Sequence, residues 1–127
     1  MAETLDQAWE WLLDCARGHD ASCADRSKTW PAPIMTPLAL AAATTRLRRF
    51  YPFIGHELLC FATSPVWYQG EGAVAPAFIG VAADPDRYIV WSGHPSCREP
   101  VAEILQTTDP LAAATELDRL LTDWRKG

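Results

Sequence analysis

Apolar residues recur three and four apart at the start of the chain, at Leu5, Ala8, Trp9, Leu12, Leu13 and Ala16, which is the spacing of one helix face. Thr4 and Gln7 make a capping box ahead of this run, and Gly18 offers a C-terminal stop. The pattern therefore predicts an amphipathic helix over about residues 5–17. From Gly18 to Met35 neither period persists; Gly, Asp, Ser, Lys and prolines surround Trp30, and the stretch reads as a long connection. Helical character returns after Thr36 and Pro37, an N-cap and a first-turn proline, in the run LALAAATTRLRRF. Its last turn carries Arg46, Arg48 and Arg49, where cations suit the helix dipole, and Pro52 ends it.

Beyond Pro52 the pattern shortens. ELLCFAT (57–63), AFIGVAA (77–83) and RYIVW (87–91) are rich in aromatic and β-branched residues, and the turn Asp84-Pro85-Asp86 joins the last two as a hairpin. Thr108 or Asp109 with Pro110 starts a closing helix whose buried stripe is Leu111, Leu117, Leu120, Leu121 and Trp124. The order is helix, long loop, helix, a three- to four-stranded antiparallel sheet and a C-terminal helix. That is an α+β fold, expected as one domain over residues 1–127. Two helices would cover one sheet face and leave the other open to a partner.

Composition narrows the function. With 127 residues, 49% of them hydrophobic, the chain can bury one core unaided. Its net charge of −5 repels phosphate backbones and anionic lipid, so nucleic acid and membrane are not expected partners and a cationic one is. The acidic N-terminus does not resemble a secretory signal, and no apolar stretch approaches a membrane span. A cytoplasmic location follows as the expectation, with Cys15, Cys23, Cys60 and Cys97 as reduced thiols.

Few constellations suggest chemistry. Cys15, His19 and Cys23, with His94 and Cys97 far along the chain, are zinc-type donors. Their spacing matches no zinc knuckle, and the expected helix break at Gly18 parts the first two, so no metal is expected. As nucleophiles, Cys60 lies about 13 Å along a strand from His56, and nothing marks Cys97 as activated by His94. Gly70 and Gly72 neither follow a strand nor open a helix, so they form no phosphate cradle. Glu71, beside Trp67 and Tyr68 in a long connection, reads equally as a binding loop or a solvated tip.

The six tryptophans are the informative surplus. Trp9, Trp91 and Trp124 suit a core. Trp11 falls on the opposite side of the first helix from Trp9, with Glu10 and Asp14; Trp30, Trp67 and Tyr68 fall in loops. Together they suggest an interface to a second subunit or to a peptide-like ligand. The arginines ahead of FYPFIGH are either a carboxylate clamp or helix C-caps, and His56 at the strand entrance defaults to a structural role.

The stretch RLRRFYPFIGHELLCFATSP (46–65) resembles the signature of a family of small actinobacterial natural-product biosynthesis proteins: an R-L-R stretch, an aromatic-Pro-Phe, a His after a small residue, and a strand ending near S/T-x-x-P. The likeness extends loosely to LDQAWEWLLDCA, APAFIGV, DRYIVWSG and DPLAAATELDRLL. Gly55 stands where relatives usually carry Ser or Thr, so this chain has no hydroxyl at that position. The family includes the synthases that form lysinoalanine in cinnamycin- and duramycin-type lanthipeptides. The resemblance implies conjugate addition of a peptide lysine amine to a dehydroalanine of the same dehydrated, thioether-bridged peptide.

Such a reaction needs no cofactor. Dehydroalanine is already electrophilic, and orientation alone can contribute about 7–11 kcal/mol. A lysine of pKa about 10.4 must still lose its proton, to a protein group or to a carboxyl of the substrate. On this reading the groove is expected at Arg49, Tyr51, Phe53, Trp67 and Tyr68, with His56 and Glu71 as its catalytic groups. Trp11 and an open sheet face argue for a homodimer. The competing expectations are a non-catalytic binding or self-protection protein for a modified peptide, and a dimerisation module in a larger assembly.

Overall fold

The computed structural model describes residues 4–26, 34–55, 57–70, 72–82, 86–96 and 101–124. Three α-helices, α1 (Leu5–Arg26), α2 (Met35–Ala42) and α3 (Pro110–Leu120), accompany five strands: β1 (Tyr51–Gly55), β2 (Leu58–Ala62), β3 (Ala77–Ala82), β4 (Arg87–Ser92) and β5 (Ala102–Thr107). The strands form one antiparallel sheet in the order β1-β2-β3-β4-β5. The fold is α+β, with one more strand than the upper expectation.

The first helix starts as its sequence dictates. The Thr4 amide donates to Gln7 Oε1 and the Gln7 amide to Thr4 Oγ1, each at 3.2 Å, which is the reciprocal capping box. It does not stop at Gly18. A mid-helix glycine costs about 1 kcal/mol relative to alanine, but the extra turns carry Asp20 to the start of α2. There its carboxylate accepts the amides of Ile34 (3.1 Å), Met35 (2.9 Å) and Thr36 (2.7 Å). Asp20 thus takes the capping role expected of Thr36, which lies inside the first turn of a helix whose N-cap is Ile34.

The second helix is shorter than its periodicity suggests. Thr44 and Thr45 return their hydroxyls to the carbonyls of Ala41 and Ala42, both at 2.7 Å, and Thr45 Oγ1 accepts the Leu47 amide at 3.2 Å. These local bonds compete with the α-helical ladder and turn the chain into a 3₁₀ segment, Arg46–Arg49. In α3, Asp109 caps through the Leu111 amide at 3.0 Å. Leu117 and Leu121 are buried as expected, but Leu111 is 49% exposed and Ala113 and Ala114 are buried in its place.

Strand register divides the sheet into two faces. Pro52 pairs with Phe61, Ile54 with Leu59, and Ile79 with Val90. These residues face the helices, where Leu59, Phe61, Ile79, Tyr88 and Val90 join Trp9, Leu12, Met35, Leu38 and Leu117 in the core. Trp9 lies 6.0 Å from Phe61 and donates its indole N–H to the Phe50 carbonyl at 3.0 Å, so its polar atom is satisfied. Trp124 packs against the edge of this core, 5.3 Å from Phe50.

The opposite face carries Tyr51, Phe53, Leu58, Cys60, Phe78, Gly80 and Trp91. Trp91 therefore stands away from the helices rather than in the main core, stacked on Phe78 at 6.5 Å. Nor is this face open: Cys60, Ala62 and Phe78 are all buried. The crossover from β2 to β3 brings Trp67 onto Phe53, with ring centroids 4.2 Å apart. Among the described residues, no helix is long and apolar enough to cross a membrane.

Candidate functional site: a groove along the sheet edge

Strand β1 is an edge strand, and α1 lies beside it. Between them is a groove of about 410 Å³ lined by Ala8, Trp11, Leu12 and Cys15 of α1, by Tyr51, Pro52, Phe53 and Ile54 of β1, and by Pro65 and Trp67. That volume falls within the range of small-ligand sites. Residues from both faces of β1 border the one cavity, so its floor is the outer edge of the strand itself. One wall is the Ala8–Leu12–Cys15 side of α1, and the other is Trp67 on Phe53. Trp11, 54% exposed, stands on the rim.

Hydrogen-bond parity fixes what the floor offers. Gly55 pairs with Leu58 across a two-residue connection in which Glu57 has φ 65. Such a closing pair exchanges both backbone bonds, so Gly55, Phe53 and Tyr51 turn their backbone groups toward β2. Pro52 and Ile54 turn theirs outward. Phe61, opposite Pro52, is consistent with this, since its carbonyl accepts the Ala75 amide at 2.8 Å on the side away from β1. Pro52 is tolerated here because its missing N–H falls on the unpaired side. Among the described residues no strand pairs with this edge, which therefore presents the Pro52 carbonyl and both the N–H and carbonyl of Ile54.

Three of the residues expected to bind substrate, Tyr51, Phe53 and Trp67, meet in this groove, and Trp11 joins them. Arg49 does not. Its guanidinium bonds Asp118 Oδ1 at 3.1 Å and the Leu121 carbonyl at 3.0 Å, and lies 4.4 Å over Phe50. The carboxylate it clamps is the protein's own, and the bond to Leu121 ties the 3₁₀ segment to the end of α3. Arg46 likewise reaches Asp118 and Thr122, and Arg48 bonds Asp6 at 2.9 Å. Tyr68 lies in the 3₁₀ turn Trp67–Gln69, but its side chain is outside the described residues, as are His56 and Glu71. Six lining residues are not among those the sequence singles out for binding: Ala8, Leu12, Cys15, Pro52, Ile54 and Pro65. The signal that points to Pro52 and Ile54 is the aromatic-Pro-Phe run, read as a proline-bearing edge strand rather than as a helix end.

Among the described residues, the groove wall is almost without titratable groups. The Cys15 thiol and the Tyr51 phenol are the only such side chains among its described lining residues. Clearly shifted carboxyl and phenol groups lie elsewhere, at the junction of α1, α2 and β4. Burial acts to raise the Asp20 pKa, but hydrogen bonds from Thr36, Met35 and Ile34 outweigh it and hold the carboxyl below its usual range. Tyr88, donating its O–H to the Ile34 carbonyl at 2.6 Å, is pushed up to about 12 by burial and by the charges of Asp20, Asp86 and Asp109.

No group of three or more metal-type ligands forms among the described residues. Because α1 continues through Gly18, the expected helix break between Cys15 and His19 does not exist. Spacing still argues against a shared ion, since positions i and i+8 of a helix stand about 12 Å apart along its axis. His19 Nδ1 is 3.4 Å from Asp20 Oδ1, and the side chains of Cys23 and Cys97 lie outside the described residues. His94 Nδ1 contacts Ser96 Oγ at 2.9 Å and accepts the Ser96 amide at 3.1 Å, so its neighbour is a turn hydroxyl. Cys60 is buried on β2, paired with Phe53.

A comparison of the chain with protein-family models, with curated proteins and with solved structures finds no match.

Proposed function

We propose that this protein is a peptide cyclase of the lanthipeptide-modifying kind, which takes a dehydrated, thioether-bridged peptide into the groove between α1 and β1 and forms a lysinoalanine cross-link. The observation that carries the reading is the groove itself: an apolar, aromatic-walled channel with a free strand edge as its floor and Tyr51, Phe53, Trp67 and Trp11 around it. The likeness of residues 46–65 to lysinoalanine-forming synthases supplies the reaction, and the net charge of −5 suits a lysine-bearing ligand.

The chemistry is balanced without a cofactor. The neutral lysine nitrogen adds to the dehydroalanine β-carbon, forming a C–N bond; the α-carbon takes up a proton and the nitrogen gives one up, with no change in mass. A low-polarity wall favours the neutral amine, and holding it against the alkene replaces an encounter in solution with an intramolecular step. The protein's contribution is then mainly orientation, and the proton passes through a carboxyl of the substrate or through His56 or Glu71.

One observation favours a second reading, sequestration without turnover: no carboxylate or imidazole lines the groove among the described residues. The deciding experiment incubates the protein with a dehydrated, thioether-bridged precursor carrying a free lysine. Cyclisation is read as loss of lysine acylation and loss of backbone fragmentation across the new ring. Turnover that falls at least tenfold in a Trp67→Ala variant supports the cyclase. Tight binding with the lysine still acylable supports sequestration, and neither binding nor turnover refutes both.

A further inference from the structure

The groove's floor determines the shape of what fits it. A cavity bordered by four consecutive strand residues, Tyr51 to Ile54, runs along the strand for about 13 Å, the length of four extended residues. Its floor carries one outward donor and two outward acceptors, on Pro52 and Ile54, spaced as in an unpaired sheet edge. Side chains of an added strand would alternate between the α1 wall, at Ala8, Leu12 and Cys15, and the aromatic wall, at Phe53 and Trp67. Both walls are apolar. Outside them, on the solvent side of α1 next to Trp11, Glu10 and Asp14 are exposed carboxylates, Asp14 facing Arg17 at 3.9 Å.

We infer that the groove is a strand-docking site, in which an extended apolar segment flanked by basic residues adds to the outer edge of β1 as a sixth strand. This rests on the peptide-binding reading and specifies how the peptide is held: main-chain pairing to Ile54 and Pro52 supplies affinity that does not depend on the peptide's sequence, and the two walls select alternate side chains. Charge complementarity to Glu10, with Asp14 sharing its charge with Arg17, places the basic residues at the flank rather than in the channel. A single outward N–H is a consequence of Pro52, and it makes Ile54 the one donor on which pairing to this stretch depends.

The test uses the full chain, labelled with ¹⁵N, and a linear probe, acetyl-Lys-Val-Phe-Val-Phe-Lys-amide, beside a counterpart N-methylated at every interior amide. The expected result is binding of the first probe with at least tenfold slower exchange of the Ile54 amide, and at least tenfold weaker binding of the methylated one. Ile54→Pro, which removes the outward N–H but no bond to β2, should lose the probe while Ile54→Val keeps it; circular dichroism establishes that both variants are folded. Equal affinity for the two probes, or movement of the Trp11 and Trp67 indole signals without protection of Ile54, overturns strand docking. So does Ile54 protection that grows with protein concentration in the absence of probe, because the edge is then covered by a second copy. Conversion of the bridged precursor by a protein that ignores the linear probe also refutes strand docking and leaves the cyclase standing. Probe pairing at Ile54 without conversion does the reverse.

Discussion

Removing the Asp20 carboxylate should loosen the whole helical layer, although Asp20 belongs to α1 and the helix it caps is α2. The side chain is 9% exposed and accepts three backbone amides at 2.7 to 3.1 Å. Losing an N-cap costs about 0.5–2 kcal/mol, and leaving shielded amides without their charged acceptor adds about 1–3 kcal/mol. Water reaching the vacated space would recover part of that, so Asp20→Ala should destabilise by about 2–3 kcal/mol. Urea unfolding followed by tryptophan fluorescence measures it, since Trp9 reports on the core between α1 and the sheet. The pH dependence has a definite sign. A carboxyl held below its ordinary value contributes stability that is fully present above the unfolded-state pKa and is lost as pH falls through the folded one. The gap between wild type and Asp20→Ala should be constant above about pH 5 and close in acid, below the ordinary carboxylate pKa of about 3.9. A gap under about 0.5 kcal/mol at neutral pH would refute the capping argument, and one that widened in acid would refute the sign.

Arg49→Ala should cost about 1–2 kcal/mol of stability, through the lost bonds to Asp118 and the Leu121 carbonyl, and leave peptide binding unchanged; a calorimetric titration in which affinity falls while the melting point holds would return Arg49 to the groove. Trp67→Ala should do the opposite, weakening peptide binding at least tenfold by removing the ring stacked on Phe53, with a stability loss within about 1 kcal/mol as seen in the same urea titration. Phe61→Ala, at a fully buried position touching Trp9 and Phe50, should destabilise by about 3–5 kcal/mol. Gly93→Ala should also destabilise, because φ there is 137 and a Cβ would stand 2.6 Å from Val101 Cγ1; thermal melts equal to wild type would contradict that strain.

Less than half of the groove is legible in the sequence. Trp67 and Trp11 stand out because large aromatics outside a periodic apolar stripe must find a pocket or a partner, and Tyr51 and Phe53 are pointed to by the aromatic-Pro-Phe resemblance. Arg49 reads wrongly as a groove residue because a sequence shows a guanidinium's capacity for carboxylates but not that Asp118, far along the chain, supplies one at 3.1 Å. Cys15 has the chemistry of a metal donor, yet it forms part of a groove wall, since the helix that carries it lies against an edge strand that the periodicity does not reveal.

What the chain determined by itself is whatever short-range chemistry decides. The capping box at Thr4 and Gln7, the Asp109-Pro110 start of α3, and strands β2, β3 and β4 all follow from neighbours within a few residues. Tertiary structure decided the rest. It carried α1 through Gly18 to the Asp20 bonds, replaced the end of the second helix with a 3₁₀ turn, and drew Tyr51–Gly55 and Ala102–Thr107 into the sheet as its two edges. Edge strands pair on one side only, so they tolerate a proline at position 52 and exposed residues along β5, and they lose the alternation that marks an inner strand. The groove lies at one of those edges, where long-range pairing, rather than local pattern, builds both its floor and its walls.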